Sequence, residues 1–426
     1  MSISSGERPP TLRSRRIRPS AGIGVLLAAM ASMVLTGPGQ TIGVSVFIDS
    51  FVEDLSLTRT EVSTVYAVGT LAAAPLLPRV GRWIDQVGVR RSQIVIGVLF
   101  ALALINMSLV IGIVTLTIGF FGIRLMGQGS LSLVSTVTVS QRFLTGRGTA
   151  LGLHSTVAAG GLALVPVLLA AAIGTFGWRG AWVSSAIVVG VAVPGLAWFG
   201  LRDAPGSSTA TAPQDAHVVG AEEANLSDVA MGSPAPSVDR DAAVRTFSFW
   251  AIASISSTAS LLVTALNFHQ IDLLGDIGLS EGVAAAMFLP QVIGSSVFGL
   301  GFGAIADRIG TRFLLGATGA LMILAQVLAA TISSTASVFV YAVALGAAGG
   351  AARTTTSTLL PLRFGTKHLG SIEGTLRVIG VAASAIGPVA LAVLESMLGS
   401  YPPAILILSI LAIGSTALAF AQSRAS

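Results

Sequence analysis

The chain has 426 residues, of which 53% are hydrophobic and only 10% charged, with a net charge of +5 and no cysteine. Soluble proteins carry about 25% charged residues, so this composition, with a mean hydropathy of +0.84, excludes a soluble domain with a single anchor. Lack of cysteine excludes disulfides, thiolate catalysis and cysteine-bound metal.

Residues 1–20 form a basic tail with Arg8, Arg13, Arg15, Arg16 and Arg18, expected to be disordered. The first apolar run that follows is too long for a signal peptide. Apolar stretches of about 20 residues, enough to span a bilayer as helix, then recur along the chain. The N-terminal half (21–200) reads as six spans, at 21–48, 62–80, 92–112, 115–141, 148–173 and 180–200. Residues 201–245, rich in Ser, Ala, Pro and acids, form a linker that cannot bury enough apolar surface to fold alone. The C-terminal half (246–421) reads as six more spans, at 246–274, 282–303, 313–332, 336–362, 369–394 and 401–421, before a short tail at 422–426. The expected fold is an all-α membrane protein of twelve transmembrane helices in two six-helix pseudo-symmetric halves.

The cations flank apolar segments, which argues against a nucleic-acid partner despite the high pI. The tail, the 81–91 stretch, Arg142, Arg147, the linker, the 304–312 stretch, Arg363 and Lys367 alternate with connections holding Asp49, Glu53, Asp54, Glu61, Asp272, Asp276, Glu281 and Glu395. The only cations among those acidic connections are Arg59 and Arg179. The positive-inside rule therefore puts both termini and the linker in the cytoplasm of a multi-pass protein of the cell inner (plasma) membrane.

One stretch is duplicated. Gly81, Asp85, Gly88 and Arg90, in a short charged loop between spans two and three, match Gly303, Asp307, Gly310 and Arg312 between spans eight and nine, at one constant offset. Gly148, Gly152 and Pro166 match Gly370, Gly374 and Pro388 at the same offset. An internal copy of this kind marks a duplicated architecture, here parallel repeats with a substrate site near the midplane between the halves. Asp85 is expected to cap a neighbouring helix or to pair with a cation such as Arg90. The two stretches, Arg308 included, then serve as conformational latches; a solvated loop with topogenic arginines is the plainer alternative.

The twin Gly-x-x-x-Asp-x-x-Gly-x-Arg stretches, the twelve-span plan and the central linker resemble the major facilitator superfamily over residues 21–421. The first copy departs from the usual pattern in having Gln86 where an Arg commonly follows the Asp. Gly37-Pro38-Gly39-Gln40-Thr41, Arg147-Gly148-Thr149-Ala150-Leu151-Gly152 and Asn267-Phe268-His269-Gln270 resemble its monocarboxylate and oxalate/formate exchanger branch. The resemblance implies a secondary transporter working by alternating access.

Intramembrane charges carry the candidate chemistry. Arg124 sits within span four, where an unpaired cation costs several kcal/mol unless it faces the bundle interior. It is either functional, as the resemblance to proton-coupled members implies, or structural, bonded to carbonyls freed by the Gly-Pro-Gly break. Arg353 and Arg377 lie about ten residues inside spans ten and eleven, roughly 15 Å deep at 1.5 Å per residue. Guanidinium groups bind carboxylates bidentately, and the exchanger branch uses a cation in span eleven; a pair with Glu373, one turn earlier, is the alternative for Arg377. The branch's other cation, in span eight, is missing, since 282–302 carry no charge. Gln40 beside the break and His269 in span seven complete the candidate binding set. Glu373, His154 and His269 are candidates for proton handling, with a hydrogen-bonded core histidine as the alternative at His154 and His269.

The expected function is transport of a small organic anion, a monocarboxylate by resemblance, with proton symport or anion exchange. The rival is a proton-coupled exporter of hydrophobic compounds. A sensor signalling through the linker and a membrane enzyme find no supporting motif. No cofactor or metal is expected, and the chain is expected to act as a monomer in the bilayer.

Overall fold

In a computed structural model the described residues are 19–143, 147–201, 238–306, 310–365 and 368–425. Among these, nine helices are long and apolar enough to cross a membrane. One of them, Ala150–Gly200, is two spans in succession, because the helix Arg147–Gly200 is broken at Gly177 (φ 69°). Two further spans are interrupted. Span two is the helix Arg59–Ala73 continued by Leu77–Val87, and span four runs through Ile113–Ile123, Arg124–Leu131 and Ser132–Arg142. The count is therefore twelve.

Span one is a helix over Pro19–Val34, a tight turn at Gly37–Gly39 and short helical pieces to Phe47, and the far-side connection that follows it is the helix Ile48–Leu55. Span three is Val89–Ser108, and spans seven and eight are Phe247–Gly275 and Glu281–Ala286 with Phe288–Ala306. Spans nine to twelve are Thr311–Ala330, Thr335–Phe364, Leu369–Leu398 and Tyr401–Ala425. Polar side chains mark several starts. Thr58 and Glu61 form a reciprocal capping box ahead of span two, Thr246 caps span seven, and Ser334 caps span ten.

The first duplicated stretch is not a loop. Span two stays helical to Val87, the chain reverses at Gly88 (φ 88°), and span three starts at Val89. A left-handed residue turns the backbone at a single position, and glycine adopts it without strain. Asp85 and Arg82 are simply exposed residues on the last turns of a helix.

The side on which residue 201 ends span six and residue 238 resumes the chain is the linker side; the opposite face is the far side. Each half has its own apolar core, but the core of the N-terminal half also takes in Phe268, Ile271 and Leu274 of span seven and Ala284, Ala285 and Val338. All belong to the far-side ends of spans seven, eight and ten. The halves are therefore sealed together on the far side. Large apolar side chains such as Phe199 and Leu300, both 76% exposed, ring the bundle, as hydrocarbon contact requires.

Candidate functional site

The site starts from the break in span one. Pro38 lacks an N–H, and Gln40 is extended (φ −81°, ψ 157°) before the helix resumes at Thr41. Backbone carbonyls freed in this way survive in a membrane only beside protein or a cavity. Here the Gly39 carbonyl faces Arg124 of span four. Gly39 must be glycine, since a Cβ would stand 2.7 Å from the Ile123 carbonyl oxygen and 3.2 Å from the Phe100 ring.

Arg124 begins a π-helical stretch, Arg124–Leu131, in which the Ser130 hydroxyl donates to the Leu125 carbonyl at 2.7 Å. Such widened turns occur often at functional sites. The guanidinium is buried, 6% exposed. Its Nη1 lies 3.5 Å from both the Gly39 carbonyl and Thr41 Oγ1, at the outer limit for a hydrogen bond, and its Nε has no partner. Its carbon stands 4.9 Å from the centre of the Tyr66 ring, whose hydroxyl shares a 2.7 Å hydrogen bond with Thr41. Among the described residues no carboxylate pairs with Arg124. On the same widened turn Gln128 Oε1 is buried and unpartnered. Both structural and binding features of Arg124 are thus present: it touches the break, but through long contacts to neutral groups.

Tyr66 joins this cluster to the other half, with its ring 4.7 Å from that of Phe268 in span seven. The contact is the end of an aromatic series in which Trp182 stacks on Phe47 at 4.1 Å, Phe51 meets Phe120 at 6.0 Å, and Phe120 meets Tyr66 at 5.4 Å.

Beyond it, at the far side, is a polar network that residue-by-residue reading of the sequence leaves unassembled. Arg59 pairs with Asp49 of its own half at 2.7 Å and with Asp272 of the other half at 2.5 Å. The Tyr401 hydroxyl is 2.5 Å from Asp272 Oδ2 and 3.1 Å from His269 Nδ1, and His269 Nε2 is 3.0 Å from the Pro388 carbonyl. His269, buried at 1% exposure, therefore has both ring nitrogens engaged. Both nitrogens are thus taken by protein groups in this conformation. The clue in the sequence was Arg59, one of two cations among many acids.

The remaining candidates are scattered. His154 is buried, with Nε2 2.8 Å from Ser135 Oγ, which also lies 2.7 Å from the Ala29 carbonyl; this is the hydrogen-bonded core alternative. Gln40 donates its amide to Thr36 Oγ1 at 2.9 Å within its own span. Arg353 is exposed on the linker-side half of span ten and donates to Ser295 of span eight at 2.5 Å. A Cβ at Gly349 would lie 3.7 Å from Arg353 Nη1 and 3.8 Å from Val263, so the guanidinium borders spans seven and eight. Arg377 is exposed, Glu373 half-exposed, and Arg377 forms no ion pair among the described residues.

Of the latch residues, Asp85 is exposed without an ion pair among the described residues and caps no helix, because span three starts from Gly88. Arg90 instead stacks 4.7 Å from the Trp198 ring and donates to the Trp198 carbonyl at 3.4 Å. Gly81 is buried and Gly303 exposed, Gly310 precedes span nine, and Arg312 stands 5.5 Å from the Phe420 ring. Asp307 and Arg308 lie outside the described residues.

The Major Facilitator Superfamily model matches residues 21–290. The chain belongs to that superfamily. It is accordingly a multi-pass membrane transporter, not an enzyme, and no curated protein matches it in sequence. Among solved structures it is similar in fold to a bacterial homologue of the human lysosomal transporter Spinster, in inward-facing unoccupied and occupied conformations. Both give a TM-score of 0.73 at 14% identity, covering 96% of this chain and 98% of that one.

Proposed function

We propose that this superfamily member carries a small organic anion, of the monocarboxylate type, by alternating access. The observation that supports this is Arg124, a buried guanidinium at the junction of the halves, held by long contacts to neutral groups and by no acid among the described residues. A buried cation in that condition is under-compensated, and a carboxylate offers it the short charge-assisted bonds its neighbours do not. The exporter alternative fits Arg124 too and would be favoured instead by acids satisfying Arg353 and Arg377 and by cavity walls of Phe and Met.

In this reading Arg124 is the primary anchor. Arg353 and Arg377, exposed on the linker side, guide the anion inward. Proton symport or anion exchange returns the carrier. The far side is shut, so in this reading the anion reaches Arg124 from the linker side, which the positive-inside rule makes the cytoplasm of the inner membrane.

The test is uptake of radiolabelled lactate, pyruvate, formate and oxalate into proteoliposomes, with and without a proton gradient. Saturable uptake of one acid, lost in Arg124→Gln and impaired in Arg377→Ala, supports the reading. If no acid moves, or Arg124→Gln transports normally, the anion reading falls.

A further inference from the structure

The far-side network has a proton count that its heavy atoms impose. Pro388 presents a carbonyl oxygen, which only accepts, so His269 Nε2 at 3.0 Å must carry hydrogen. Tyr401 has one hydroxyl proton and two neighbours, Asp272 Oδ2 at 2.5 Å and His269 Nδ1 at 3.1 Å. If it donates to an ionised Asp272, Nδ1 must carry a second imidazole proton to bond the hydroxyl oxygen. If it donates to Nδ1, Asp272 must be protonated to donate in turn. With an ionised carboxylate and a neutral imidazole, one link sets two lone pairs against each other. The fully bonded chain from Asp272 through Tyr401 and His269 to Pro388 therefore holds one extra proton.

The other oxygen of Asp272 makes the bridge between the halves, Oδ1 to Arg59 Nη2 at 2.5 Å. A proton on Asp272 removes the negative charge from that bridge, while Arg59 keeps Asp49 as a partner within its own half. The charged groups around Asp272 are Arg59, Asp49 and Asp276, with Glu395 near Tyr401 and Glu281 near Asp49. Arg59 is the one cation of this set, so losing its pairing with Asp272 weakens the hold of the C-terminal half on the N-terminal half.

We propose that Asp272, Tyr401 and His269 form a single proton-binding site: with the proton on His269, Asp272 stays ionised and keeps the Arg59 bridge present here, and the proton's transfer through the Tyr401 hydroxyl to Asp272 releases the bridge that holds the far side shut. The bound proton is exchanged with the far-side solution, and the chain to His269 gives it a second resting place one hydrogen bond deeper. The proposal rests on the alternating-access reading but not on the identity of the substrate.

The natural lack of cysteine allows a direct test. Ile271, 4% exposed and packed into the core of the opposite half, becomes accessible only when the far side parts. Ile271→Cys is labelled with a membrane-impermeant maleimide in vesicles whose far side faces out. Exposed Ser280→Cys serves as the reference that cancels the reagent's own pH dependence. Between about pH 8 and about pH 5.5, a range that brackets the ordinary His value, the normalised rate is expected to rise at least about fivefold. Adding Asp272→Asn, which cannot carry the charge, should give fast labelling at both pH values. Arg59→Gln, which leaves the proton chain whole, should do the same and serves if Asp272→Asn fails to fold. A normalised rate that ignores pH while either variant labels fast leaves a lock without a proton site and overturns the proposal. Slow labelling in both variants overturns the lock as well. Neither result depends on whether any acid is transported.

Discussion

Replacing Arg124 with methionine separates a binding cation from a structural one. At the centre of a transmembrane helix an arginine costs about 2.5–3.5 kcal/mol on insertion scales. Against this stand a desolvated cation–π contact with Tyr66, worth about 2 kcal/mol, and two contacts at 3.5 Å, each below the roughly 1 kcal/mol of a well-formed hydrogen bond. The Nε contributes nothing, having no partner. Arg124→Met keeps the length and apolar bulk of the side chain. It should therefore be neutral or stabilise the unliganded protein by up to about 1.5 kcal/mol, as expected when an under-compensated buried charge gives way to an apolar group. Thermal unfolding of purified protein, followed by size-exclusion chromatography, reads the effect. A transported acid at 100-fold its Kd should add about 2.7 kcal/mol to the wild type and nothing to the variant. If Arg124→Met is less stable than wild type by more than about 1 kcal/mol, the guanidinium is a brace for the span-one break and the geometric reasoning is refuted.

Gly39→Leu should cost about 1–3 kcal/mol of overpacking, visible as loss of folded protein in detergent, because the added side chain would meet the Ile123 carbonyl and the Phe100 ring. Tyr401→Phe should lower unfolding stability by about 1–3 kcal/mol by stranding Asp272 and His269 without the hydroxyl between them. Asp54, on the far-side surface, accepts from Trp178 Nε1 at 2.9 Å and pairs with Arg179, and these bonds hold its carboxyl below the usual carboxylate range. A depressed carboxylate contributes stability that is present above the unfolded-state value and is lost as pH falls through the folded-state value. Acid titration of thermal stability should therefore show a small loss below the ordinary Asp range that is absent in Asp54→Asn.

The fold was legible because a bilayer leaves few options: long apolar runs, clustered charges and a stretch repeated at constant offset are each visible one residue at a time. Arg124 was legible for the same reason, as a charge where none is cheap, and so was the span-one break. The stretch at 81–91 misled because Arg82 and Asp85 look like loop residues, whereas they ride the exposed side of a helix that ends at a single glycine. The far-side network was hidden by distance along the chain. Arg59, Asp272 and Tyr401 sit at the ends of three spans in connections that read as solvated, and only packing the two halves together turns them into one cluster. The partners of His269 were hidden likewise, since nothing in its neighbourhood names Pro388 or Tyr401.

The far-side seal is mostly apolar. Phe268 and Leu274 are fully buried and Ile271 nearly so, all within the core of the other half. Parting the halves hydrates these side chains, and wetting apolar surface raises heat capacity. The balance between open and closed forms should therefore follow a curved van't Hoff plot, with the closed form at its strongest at an intermediate temperature and weakening on cooling as well as on heating.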